Sequence, residues 1–225
     1  MLNVEFAFAA DRPPRLLFLG AHADDIEIGC GGTILELLRR HPGADVHWVV
    51  FSAAGSRRQE AQAAAQRFLA RAGEATITLH AFRDGFLPYV GAEVKDAFEA
   101  LKTGFTPDVV FTHYREDLHQ DHRLINELTG NTFRDHFVLE YEIPKFDGDL
   151  GLPNAFAPLS RETCDEKIAA ILACYATQRD KFWFTEETFR SILRLRGVEA
   201  RSPSGYAEAF HARKIPIFGC TGDAQ

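Results

Sequence analysis

Short apolar runs alternate with longer amphipathic stretches over the first half of this chain, and that alternation restricts the fold more than any other feature. Residues 15–20 read as a buried strand, 31–40 as a helix with apolar Ile34, Leu35, Leu37 and Leu38, and 46–51 as a second strand rich in β-branched and aromatic residues. An Ala-rich helix over 56–72 stops at Gly73, and a third strand covers 75–79. A helix over 92–102 ends at Gly104, and Pro107 opens a fourth strand over 108–112. Strands separated by helices of this length build βαβ units. The expected fold class is therefore α/β, a Rossmann-like parallel sheet flanked by helices. Past residue 120 the pattern loosens to a helix starting near Asp121, a strand over 137–142 and helices over 161–177 and 185–196. Pro144, Gly148, Gly151, Pro153 and Pro158 punctuate a long loop between them, of the kind that often carries function in a compact domain.

The length of 225 residues, without repeats or low-complexity tracts, fits a single domain over 1–225 with a substantial core. A formal net charge of -7 argues against a nucleic-acid partner, because phosphate binding needs clustered Lys and Arg. Cysteines 30, 164, 174 and 220 form no C-x-x-C pair, so they read as thiols of a reducing compartment rather than a disulfide framework or thiolate metal site. No apolar stretch approaches the ~20 residues of a membrane span, and no basic leader with a long apolar core is present. A cytoplasmic location is expected.

Chemistry concentrates in two clusters about a hundred residues apart. His22-Ala23-Asp24-Asp25-Ile26-Glu27 follows the first strand, and His119-Gln120-Asp121-His122 lies a few residues beyond the fourth. Ligands of open α/β sheets bind where such strands end, so the two clusters are expected to meet. Imidazole nitrogens and a carboxylate oxygen suit a borderline-soft divalent ion, and three protein ligands plus an open position make a catalytic site. His22, Asp25, His119 and His122 offer four donors, one more than such a site needs. The adjacent carboxylates Asp24 and Asp25 repel each other unless a cation lies beside them. With Asp25 on a metal, Asp24 is free to act on a metal-polarised water, and Asp121 suits orientation of an imidazole.

Ala21-His22-Ala23-Asp24-Asp25-Ile26-Glu27 resembles the A-H-P-D-D-x-E signature of the LmbE-like, or PIG-L, zinc-dependent N-deacetylases, and His119-Gln120-Asp121-His122 is similar to their H-x-D-H motif. Supporting agreement runs through 29–33, 57–60, Asp84-Gly85, Tyr141-Glu142 and 206–210. The resemblance implies a Rossmann-like fold with zinc held by His22, Asp25 and His122, and Asp24 as general base. It also implies that His119 stabilises the oxyanion or protonates the leaving amine, with Asp121 holding it, and that Arg57 lies near the substrate. The implied reaction removes an acetyl group from an N-acetylated amino sugar or its conjugate, in a family whose members often form homo-oligomers. Ala23 and Gln120 stand where the family usually has proline, changes that loosen loops without removing a donor.

Several readings stay open. Zn2+ and Fe2+ accept the same donors. A metal-polarised water also attacks esters, phosphoesters and non-sugar amides, and a sugar- or nucleotide-binding module without chemistry is the alternative of a different class. Gly29-Cys30-Gly31-Gly32 reads as a tight-turn and close-packing stretch, not a dinucleotide fingerprint. Tyr114, Tyr141 and Tyr206 are each candidates for oxyanion contact. His113 reads as a pocket candidate, whereas His80, His136 and His211 read as structural.

Overall fold

The computed structural model describes residues 3–215. Among them lie seven strands and six α-helices, in the order β1 (Arg15–His22), α1 (Asp25–Arg40), β2 (Asp45–Ser52), α2 (Gly55–Phe68), β3 (Ala75–Leu79), α3 (Gly91–Gly104), β4 (Val109–His113), α4 (Gln120–Thr132), β5 (Phe137–Tyr141), β6 (Ala155–Leu159), α5 (Arg161–Cys174), α6 (Glu186–Glu199) and β7 (Tyr206–Ala212). One sheet contains all seven strands in the order β3-β2-β1-β4-β5-β7-β6.

Period-2 alternation sorts the strand residues onto two cores. Leu16 and Phe18 of β1, Trp48 of β2 and Phe111 of β4 face a layer closed by α1, α2, α5 and α6. Leu17 and Leu19, Phe51 and Val110 face the opposite layer, closed by α3 and α4. Burial on both faces explains why β1, β2 and β4 read as near-continuous apolar runs.

The chain builds β1, β2 and β3 outward in one direction, then returns to place β4 and β5 on the other side of β1. The strand order reverses between β1 and β4, and the crevice beyond their carboxyl ends is where ligands of open α/β sheets bind.

The sheet is mostly, not wholly, parallel. The strands β1 to β5 pair in parallel, but β7 runs antiparallel to both β5 and β6. Both late strands escape the sequence pattern. The edge strand β6 carries Pro158, which an edge tolerates because it leaves no ladder donor missing in the sheet centre. The segment 206–210, noted above only as a motif, forms most of β7. Cys220 lies outside the described residues.

Helix α1 starts at Asp25, six residues before the sequence pattern suggests, because tertiary packing overrides the low helix propensity of its glycines. A side chain at Gly29 would overlap the Tyr141 ring, one at Gly31 the Phe68 ring, and one at Gly32 the Leu159 side chain. The helix breaks at Cys30 (φ -141°, ψ 16°), which leaves backbone groups without helical partners. A buried ion pair repairs the break. The Glu208 carboxylate accepts the N–H groups of Gly32 (2.8 Å) and Thr33 (2.6 Å), and Lys167 donates to the Ile28 carbonyl (2.7 Å) and to Glu208 (2.6 Å).

Candidate metal centre

The two sequence clusters meet at the switch point. His22 ends β1, Asp24 and Asp25 open α1, and His119 caps α4, whose first turn carries Asp121 and His122. His22 Nδ1 lies 3.1 Å from His122 Nε2 and 3.4 Å from Asp25 Oδ2, and His122 Nε2 lies 3.6 Å from that same oxygen. Donors at zinc bond lengths of 2.0–2.2 Å in tetrahedral directions stand about 3.3 Å apart. The triangle therefore fits a tetrahedral metal with one position left over.

Among the described residues three overlapping donor sets lie within 4.8 Å: His22 with His119 and His122, Asp25 with His113 and His122, and His22 with Asp84 and Asp121. Hydrogen bonding selects among them, because each neutral imidazole has one N–H and one lone pair. His122 Nδ1 faces the Asp117 carboxylate at 2.9 Å, so it carries the proton and leaves Nε2 bare. His22 Nε2 faces Asp121 at 3.0 Å and Asp84 at 3.2 Å, which puts the proton there and leaves Nδ1 bare. His113 spends its Nε2 lone pair on the Ala21 N–H at 2.9 Å. His119 accepts the Asp121 N–H on Nδ1 at 3.2 Å, so its Nε2 is an N–H donor. The acceptors that converge are His22 Nδ1, His122 Nε2 and Asp25 Oδ2, the last also accepting the His22 backbone N–H at 2.6 Å. Three lone pairs this close, out of water, call for a positive charge among them, a proton or a metal ion.

The electrostatics agree. Burial opposes charge on His22, yet its hydrogen bonds to the Asp121 and Asp25 carboxylates hold it well above the usual histidine range, so without a metal a proton takes the position at Nδ1. Burial presses His122 down to about 3, with His113 adding to the effect, which keeps it neutral. Burial alone would raise Asp25 and Asp117, but neighbouring imidazoles hold both well below the usual carboxylate range.

Asp24 differs. Burial pushes it up to about 6 against the opposing Arg57 guanidinium, with the charge of Asp25 adding to the rise. Its backbone is left-handed (φ 101°), a strained state for a residue with a side chain, and such strain collects at functional sites. Arg57 lies 2.9 Å from the Asp24 carboxylate, bonds the Ala23 carbonyl and packs over the Tyr175 ring. The Tyr175 hydroxyl donates in turn to Glu27, whose carboxyl burial pushes up to about 8.

Two expectations need correction. The Asp121 carboxylate holds His22 rather than His119, and it also accepts the N–H groups of Gly85 (2.8 Å) and Leu87 (3.2 Å). Only its backbone N–H serves His119. Of the three tyrosines, Tyr141 donates to the buried Leu19 carbonyl at 2.6 Å, Tyr114 stacks on His211 and Tyr206 packs against Arg161, so each has a structural partner. Gly85 adopts φ 78°, the turn that brings its N–H onto Asp121, and the Gln120 amide donates to its carbonyl.

The sequence reading missed Asp117, Lys145 and Tyr175. Asp117 had a signal, a carboxylate five residues before His122; Lys145 and Tyr175 had none. Lys145 lies 2.9 Å from Asp117 and also pairs with Asp149, joining the long loop after β5 to the back of His122. Carboxylates behind metal-ligating histidines fix tautomer and raise basicity. Asp117→Asn is therefore expected to weaken metal affinity by about 10–100-fold with the fold retained. Zinc titration against a chromophoric chelator, beside a circular dichroism spectrum, checks this; unchanged affinity would remove Asp117 from the account.

A mostly parallel α/β sheet with this His/Asp cluster at its switch point defines an LmbE-like fold. A family model described as PIG-L: GlcNAc-PI de-N-acetylase matches residues 17–133, just over half of the chain and including both clusters, and the chain belongs to that family. Among solved structures, N,N'-diacetylchitobiose deacetylase from Pyrococcus horikoshii is 22% identical, over 90% of this chain and 84% of that one, with a TM-score of 0.66. The 4-carboxy-2-hydroxymuconate hydratase GalB from Pseudomonas putida KT2440 is 19% identical over 92% and 98%, with a TM-score of 0.70. The teicoplanin deacetylase Orf2 is 17% identical over 88% and 97%, with a TM-score of 0.69. At these identities the likeness is one of fold. Among the described residues no helix is long and apolar enough to cross a membrane.

Proposed function

We propose that this protein is a metal-dependent N-deacetylase that removes an acetyl group from an N-acetylated amino sugar or its conjugate. The observation that carries the reading is the triangle of converging acceptors, His22 Nδ1, Asp25 Oδ2 and His122 Nε2, beside a buried carboxylate with a raised pKa. Membership in a family named for a de-N-acetylase supports it. In this reading His22, Asp25 and His122 hold the metal, zinc or Fe2+. When bound, the metal supplies Lewis-acid polarisation of water and of the amide carbonyl.

The chain's own groups supply proton handling and charge stabilisation. Asp24, whose carboxyl burial raises, is the base, and Arg57 fixes the orientation of its carboxylate. This assigns Arg57 to holding the base. His119 presents an Nε2 N–H because its Nδ1 is tied to the helix N-terminus. That group can hydrogen-bond the developing oxyanion, and the proton that Asp24 takes from the water is the one available to the leaving amine. Asp121 fixes the tautomer of His22 and, through Gly85 and Leu87, the loop that borders the site.

Acetate release from N-acetylglucosamine and its conjugates tests the reading, run beside simple esters and N-acetyl amino acids, with metal content measured on the same sample. Chelator-stripped protein is expected to lose the activity and zinc to restore it. Metal-independent turnover, or turnover of esters alone, would overturn it.

A further inference from the structure

We infer that the rim of the candidate site binds an uncharged, apolar aglycone, so that the preferred substrate is an N-acetyl amino sugar carrying an alkyl-type group rather than a nucleotide or phosphate carrier. The inference rests on the N-deacetylase reading above.

Six of the eleven large apolar side chains that stand exposed among the described residues are Phe86, Tyr89, Leu118, Phe146, Leu150 and Leu152. All six lie on the three connections that follow β3, β4 and β5, Tyr89 within a short 3-10 turn (Leu87–Val90), at the end of the sheet where the His/Asp cluster sits. Exposed apolar side chains scattered singly are ordinary, but concentration at one site marks an interaction surface. Tyr89 is 74% exposed, Phe146 77% and Leu152 92%, too open to be core residues at the margin.

These loops are bonded to the site. Gly85 and Leu87, either side of Phe86, donate to Asp121. Leu118 precedes His119 directly, and its N–H donates to Asp149 of the loop after β5 at 2.7 Å. Lys145 ties that same loop to Asp117, the carboxylate behind His122. The loops that carry the apolar groups are thus fixed to the site, and those groups border the place where the amide must sit.

Charge decides what kind of carrier fits. Two of the three Lys and Arg side chains of these loops are paired with carboxylates, Arg115 with buried Glu140 and Lys145 with Asp117 and Asp149, and Arg83 lies over the Phe86 ring at 3.5 Å. Asp84, Glu116 and Asp147 add negative charge on the same loops. Phosphate recognition needs cations or helix N-termini aimed at the oxygens, and an acidic rim repels a diphosphate. An uncharged apolar group meets no such penalty and buries the exposed side chains.

The test compares acetate release from the methyl and hexyl β-glycosides of N-acetylglucosamine and from the uridine diphosphate sugar, on the metal-loaded protein. The hexyl glycoside is expected to have kcat/KM about tenfold above the methyl one, through KM, equivalent to burying roughly two methylenes. The nucleotide sugar is expected to fall below the methyl glycoside. Phe146→Ser combined with Leu152→Ser is expected to bring the hexyl-to-methyl ratio close to one, with melting temperature confirming the fold. Binding of the corresponding methyl and hexyl amino glycosides, measured by calorimetry, separates the two readings. Tighter hexyl binding with no hydrolysis of any acetylated glycoside supports the rim and sinks the deacetylase assignment. Hydrolysis of the methyl glycoside with no hexyl advantage in either assay overturns the rim alone. A double variant that breaks an oligomer in light scattering yet keeps the hexyl preference also overturns it, since the surface would then be a subunit contact.

Discussion

Asp24→Asn is expected to lower kcat by about 10²–10⁴-fold, the usual contribution of a general base, while zinc stoichiometry stays at the parental value. The substitution is nearly isosteric; it removes the ability to take a proton and the charge that pairs with Arg57, while an amide oxygen can still accept from the guanidinium. Asparagine also tolerates the left-handed backbone of this position (φ 101°) better than alanine would, so a loss of activity is not a folding artefact. Metal retention follows from the donor arrangement, because Asp24 pairs with Arg57 and supplies none of the three converging acceptors. Steady-state kinetics with metal analysis on the same preparation checks both parts. Parental turnover in this variant would place the base elsewhere.

His122→Ala gives the complementary result: metal affinity is expected to fall by more than the ~100-fold that loss of a supporting carboxylate can cause, and activity falls with it. The imidazole supplies one of three converging acceptors, and its removal leaves Asp117 and Lys145 facing an empty volume. Excess zinc is expected to restore little activity, because two donors do not close the coordination sphere. Competition titration of zinc is the measurement. Parental affinity in the variant would point to a different donor set, with His119 or His113 the nearest replacements. The pair of variants separates binding of the metal from use of it.

Much of this was legible in the sequence because α/β sheets write their architecture locally. Buried strands such as β1 and β4 show as apolar runs, and the residues just beyond them land at the switch point without any long-range information. The end of the sheet was not legible. The edge strand β6 contains a proline, and β7 pairs antiparallel with partners up to about 70 positions away, so neither leaves a local period. The glycine stretch in α1 looks like a turn, and only its neighbours Tyr141, Phe68 and Leu159 show why the helix runs through it.

Within the site, donor types were readable and tautomers were not. That His119 stands apart from the metal-facing acceptors depends on its Nδ1 capping α4, a bond that spacing alone does not reveal. The exchange of roles that puts the Asp121 carboxylate on His22 likewise comes from the way α4 meets β1. Asp117 was within reach of the sequence, being a carboxylate close to two histidines, but Lys145 and Tyr175 act across folds of the chain with no motif to mark them.

The most direct measurement is a crystal structure of the zinc-loaded protein with anomalous scattering recorded at the zinc edge. One strong peak per chain is expected within about 2.0–2.2 Å of His22 Nδ1, Asp25 Oδ2 and His122 Nε2, with His119 unbonded. A peak bonded to His113 or His119 in place of any of these, or lying away from the cluster, would contradict the account.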